Sequence, residues 1–156
     1  MKMSKNNSAM TSQSRITKYV TELSALEKTC RNSHSRNWAF PYLMRIYELH
    51  ENWQRKGLAK ERRADLNRFY RSALKKHSRK DKKLLHLIIE CTSAANSKTR
   101  STWVSALFAA RLKKIKPKKI TRFLLNKDRG GLKSRSAEYA AYRKRGKIKK
   151  QSGLKT

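Results

Sequence analysis

Negative charge is what this sequence has least of. Ten Asp and Glu stand against 41 Lys and Arg in 156 residues, a formal net charge of +31. Metal-assisted hydrolysis and phosphoryl transfer recruit clustered carboxylates. So few acids leave little to build such a site from, and most of them have local work. Glu22 and Glu27 sit on the first predicted helix. Glu48 and Glu51 face basic residues on the second, Glu51 four residues before Arg55, and Asp65 precedes Arg68 by three, both ion-pair spacings. Asp81 reads as a helix N-cap, and Glu90, inside the most apolar segment, reads as paired with a nearby cation.

Metal-ligand patterns are missing as well. His34, His50, His77 and His86 include no pair at i, i+4, and neither Cys30 nor Cys91 belongs to a CxxC. There is no phosphate-binding glycine loop, dinucleotide fingerprint or serine elbow. The expectation is a protein that is not an enzyme, with no catalytic residue, metal, cofactor or small-molecule substrate. Two cysteines make no disulfide framework in a chain of this length; both fall among apolar residues, which fits a reducing compartment. The opening MKMSKNNSAMTSQS lacks the apolar stretch of a secretory signal. The longest apolar run, Leu84 to Ile89, is interrupted by His86 and is too short for a transmembrane segment.

Breakers are scarce: two prolines and five glycines, so helical runs meet few interruptions. Residues 1–11, rich in Ser, Asn and Lys, are expected to be disordered. Apolar residues then recur at helical spacing: Ile16, Tyr19, Val20, Leu23, Leu26 and Cys30 for one helix, with Ser12 or Ser14 as cap. Trp38, Tyr42, Leu43, Ile46, Leu49 and Trp53 make a second, with Pro41 in its first turn and Gly57 after its end. A third is predicted from Ala59 to His77, with Leu66, Phe69, Tyr70, Ala73 and Leu74 inward and Arg62, Arg63, Arg68 and Arg71 outward. The fourth, Leu84 to Cys91, is apolar nearly all round, the mark of a buried helix. After a break at SAANSKTRS, Ser101 or Thr102 caps a helix carrying Trp103, Val104, Leu107, Phe108 and Leu112. Pro117 separates it from Ile120, Phe123, Leu124 and Leu125, and Gly130-Gly131 precedes a last helix begun by Ser134 or Ser136. No segment alternates with a period of two. The fold expected is all-α: a bundle over 12–98, a smaller basic three-helix unit over 99–146 with a helix-turn-helix-like reading, and a basic tail over 147–156.

The cations are unevenly placed. Residues 1–98 hold 22 Lys and Arg against 8 acids, whereas 99–156 hold 19 against 2. Such an excess of one sign destabilises a compact chain by self-repulsion, and a polyanion relieves it while releasing counterions. A nucleic acid is therefore the expected partner, met through Arg62, Arg63, Arg71, Arg111, Lys114, Lys118, Lys119, Arg122, Arg129, Lys133, Arg135, Arg143, Lys144 and Arg145. In a helix-turn-helix reading, Lys118–Leu125 supports and Ser134–Arg145 docks, with Tyr139 and Tyr142 in the core or on the backbone. Trp38, Trp53 and Trp103 share faces with other apolar residues and are expected in cores rather than stacked on bases. DNA is favoured over RNA because the tail is short and the C-terminal region has its own apolar set. The readings are, in order, a DNA-binding accessory or regulatory protein, a ribosome-associated or other structural-RNA binder, and a membrane-surface basic protein carried by 103–116. The matching location is the cytoplasm or nucleoid, or a nucleus; oligomeric state is not set by the sequence.

Overall fold

A computed structural model of the chain describes residues 4–76, 82–125 and 131–152, with side chains described at 13–76, 82–125 and 131–146. Regular structure there is entirely helical: α1 (Ser4–Asn32), α2 (Ala39–Arg55), α3 (Ala59–Ser72), α4 (Leu84–Thr92), α5 (Ser97–Leu112), a 3₁₀ turn (Pro117–Lys119), α6 (Ile120–Leu125) and α7 (Gly131–Ser152). Two compact units divide it, Met1–Ala94 and Ala95–Thr156.

The first unit is organised around α4. Leu84, Leu85, Leu87, Ile88 and Ile89 are all buried there, as an all-round apolar helix requires. It packs chiefly on α3 and also on α1 and α2. Burying each Leu or Ile contributes about 1.5–3 kcal/mol. Onto this core α1 turns Ile16, Val20 and Leu23, and α2 turns Tyr42, Leu43, Ile46, Leu49 and Trp53. One buried polar link crosses it: Thr92 Oγ1 donates to the Ile88 carbonyl at 2.7 Å, which leaves the Tyr42 hydroxyl to donate to Thr92 Oγ1 at 2.6 Å. A second ties α1 to the end of α4, where buried Glu27 accepts from Ser93 Oγ at 3.2 Å and pairs with Arg31.

Several helix ends differ from the sequence expectation, each for a local reason. α1 reaches back to Ser4, through most of the segment whose composition spoke for disorder; no Pro or Gly interrupts 4–32. α3 stops at Ser72, short of His77, which like Asp81 lies outside the described residues. The N-cap position of α4 is held by Lys83. α5 starts at Ser97, not Ser101: Asn96 caps it by accepting from the Thr99 amide at 2.9 Å, and Thr102, already inside, bonds back to the Lys98 carbonyl. α5 ends in a Schellman arrangement, Ile115 N–H to Ala110 O and Lys114 N–H to Arg111 O, which puts Lys114 in the left-handed region at φ 53°. Gly131, at φ 64°, opens α7, and the helix runs on to Ser152 through residues expected to be tail.

Candidate nucleic-acid interface

In the second unit α5 packs most extensively on α7, with α6 against both. Trp103, Val104, Ala106, Leu107, Ala109 and Ala110 of α5 are buried together with Ile120 and Leu124 of α6 and Tyr139 of α7. Three alanines on α5 let a neighbouring helix approach closely.

Among the described side chains of α7 the most buried is an arginine. Arg135 is 2% exposed. Its guanidinium lies 4.0 Å from the centre of the Phe123 ring, Nε donates to the Phe123 carbonyl at 3.3 Å, and one terminal nitrogen donates to Glu138 Oε1 at 3.0 Å. Lys113 at the end of α5 reaches Glu138 Oε2 at 3.1 Å. Partial burial pulls the Glu138 carboxyl upward, but the Lys113 hydrogen bond and the charges of Arg135 and Lys113 outweigh it and hold the group below its ordinary value. Glu138 is the sole acid among the described residues of this unit, and two cations already share it.

Most of the other described cations of this unit are exposed. Lys114, Lys116, Lys118 and Lys119 are exposed along the segment that follows α5, Arg122 is exposed on α6, and Lys133, Arg143, Lys144 and Arg145 are exposed on α7. Arg111 is half-buried. Arg129 lies outside the described residues. In the first unit Arg71 is exposed, while Arg63 is half-buried with Nε donating to the Lys82 carbonyl at 2.9 Å.

Two of the fourteen cations marked from sequence are therefore not surface groups. Arg135 is one. Arg62 is the other: 3% exposed, 3.4 Å from Asp65, with its guanidinium 6.0 Å from the centre of the Trp53 ring. Asp65, itself 1% exposed, also pairs with Arg68 at 3.2 Å. Burying a guanidinium this deep costs hydration that a carboxylate beside it offsets, and each has one, so Arg62 and Arg135 hold helices in place rather than meeting phosphates. Both stand four residues before a core residue, Leu66 and Tyr139, a spacing that already puts them on the inward face.

Sequence reasoning left out Lys116, which is exposed beside the chosen lysines, and set aside the aromatics. Trp53 and Trp103 are buried at 2% and 4%, and Trp38 lies half-buried under the Arg31 guanidinium at 5.1 Å. Tyr142 behaves otherwise: it is 56% exposed while stacked on buried Tyr139. Glu90 has the partners its position required, His86 at 3.2 Å and Lys82 at 3.6 Å. Among the described residues no group of His, Cys, Asp and Glu converges as a metal site, and no helix is long and apolar enough to cross a membrane. Comparison with protein-family models, with curated proteins and with solved structures gives no match to this chain.

Proposed function

We propose that this chain is a nucleic-acid-binding protein that holds the phosphate backbone through its second unit, with DNA as the preferred partner and no chemistry of its own. The observation that carries the reading is the charge of that unit. Residues 95–156 hold 20 Lys and Arg against two acids, and the described acid is shared by Lys113 and Arg135. Cations crowded on a small surface raise its local potential, and phosphates lower it with release of condensed counterions. Contacts of this kind set affinity and position without reading sequence. They do not require a helix-turn-helix. The preference for DNA is supported by the shape of α7: 22 residues make a rod about 33 Å long. The major groove of B-form DNA admits such a rod, whereas that of A-form RNA is too narrow and deep.

Fluorescence anisotropy of a labelled 30-base-pair duplex tests the proposal. With six to ten phosphates engaged, affinity falls about 10³- to 10⁵-fold between roughly 50 and 200 mM salt. A flat salt response rejects it. Competition with unlabelled DNA and RNA at physiological salt then ranks the partners, and stronger displacement by RNA moves the assignment to RNA.

A further inference from the structure

Three aromatic residues of the second unit form a short ladder. The rings of Phe108 and Tyr139 are stacked, 5.1 Å between centres and 19° between planes; those of Tyr139 and Tyr142 follow at 6.5 Å and 20°. Exposure is lowest in the middle of the ladder and highest at its end: Phe108 is half-buried, Tyr139 is 8% exposed, and Tyr142 is 56% exposed. Large apolar side chains left this open are few among the described residues, the others being Met44 and Leu112.

The reason Tyr142 stays open lies one helical turn further on. Side chains of a helix lean toward its N-terminus, so a ring is covered on one side by residues three and four before it and on the other by the residue four after it. For Tyr142 the preceding turn supplies Tyr139. The following turn supplies Arg145, which is exposed, and Gly146, which has no side chain; a Cβ built at Gly146 meets nothing within 4 Å. The far face of the ring is left bare, parallel to the stack beneath it. Arg145, three residues on, is an exposed neighbour on the same side of the helix, and the Arg143 guanidinium lies 6.0 Å from the Tyr139 ring centre, alongside the ladder.

We infer that the open face of Tyr142 is a stacking site for one unpaired nucleobase, with Arg143 and Arg145 holding the flanking phosphates. The inference rests on the nucleic-acid reading above and narrows its substrate to DNA that presents an unpaired base, a single strand or an opened duplex. A flat, electron-rich ring with one face free and cations at its edge is the arrangement single-strand binders use, and every base offers the π-face it needs. Tyr139, itself stacked on Phe108, positions the Tyr142 ring in advance, so little conformational freedom is lost on binding.

The full chain is tested against two probes, a 30-nucleotide single strand and a covalently closed double-stranded minicircle, which has neither ends nor unpaired bases. Tyr142→Ala is expected to weaken single-strand binding about 5- to 100-fold and minicircle binding less than about twofold. Tyr142→Phe keeps the parent affinity for both. Gly146→Leu favours the helix yet fills the space over the ring, and it weakens single-strand binding as Tyr142→Ala does. A 2-aminopurine placed in the single strand is quenched by stacking with the parent and Tyr142→Phe, but not with Tyr142→Ala. Parent-like binding and quenching by both Tyr142→Ala and Gly146→Leu overturn the stacking site alone, as does an equal loss on both probes. If the parent binds neither probe at low salt, the nucleic-acid reading fails and takes this site with it.

Discussion

The Arg135 guanidinium lies 4.0 Å from the centre of the Phe123 ring, and its Nε donates to the Phe123 backbone carbonyl. One side chain of α7 thereby satisfies a backbone acceptor of α6, covers an aromatic face and pairs with Glu138 on its own helix. Arg135 is a strut, and its charge is spent inside the fold.

Replacing it should unsettle the second unit. Arg135→Ala removes the ring contact, the carbonyl hydrogen bond and the Glu138 pair, and we expect a loss of about 2–3 kcal/mol. Arg135→Lys recovers little, because an ammonium cannot lie flat on the ring and donate twice. A urea titration followed through α5 and α7 amide resonances measures this. An unchanged midpoint for Arg135→Ala would show that the buried guanidinium contributes nothing.

The opposite outcome is expected where the cations are open. Changing Arg143, Lys144 and Arg145 together to Ala leaves the far-ultraviolet helical signal intact and lowers affinity for all DNA sequences alike. Each lost phosphate contact also reduces the salt slope by about 0.9, so the triple variant should lose roughly 2.7. Parent-like affinity and slope would move the docking surface elsewhere, to Lys114, Lys118, Lys119 and Arg122.

The two thiols should separate by reactivity. Cys91 is buried, with Sγ 4.0 Å from the Leu66 carbonyl. Burial pushes its thiol up to about 12, helped by the Glu90 carboxylate and opposed only in part by Lys76 and Lys82. At pH 8 it is therefore protonated and inert. Ellman's reagent should titrate half-buried Cys30 in the native protein and Cys91 only after denaturation. Two equally fast thiols would mean that α4 is not packed as described.

Glu138 should make the second unit acid-sensitive. Its folded-state value is lowered, so the stabilisation from pairing with Lys113 and Arg135 is fully present above the ordinary glutamate value near 4.5 and is lost as pH falls through the folded value. The stability gap between the parent and Glu138→Gln, read from the same amide resonances, should close as pH drops from 6 toward 3. A gap independent of pH would assign Glu138 a packing role only.

Much of the architecture could be read along the chain. Period-3.6 stripes needed only the rule that apolar faces turn inward: Ile16, Val20, Leu23, Tyr42, Leu43, Ile46, Leu49, Trp53, Trp103, Val104 and Leu107 are buried, although Tyr19 and Phe108 are half-buried and Leu112, at the end of its stripe, is exposed. Helix ends were harder, because caps compete. Asn96, Ser101 and Thr102 are all eligible, and which one starts α5 depends on where the preceding chain leaves α4. The candidate interface divides in the same way. The spacing of apolar residues determined by itself that the chain is helical, and composition that its cations far outnumber its acids, since a period along the chain and a sum over residues need no tertiary geometry. Which cations reach solvent was decided by the tertiary structure alone. Arg62 and Arg143 are the same residue in the same kind of helix, yet one is sealed beneath Trp53 beside Asp65 and the other stands open, because burial is set by what a neighbouring helix brings to each face.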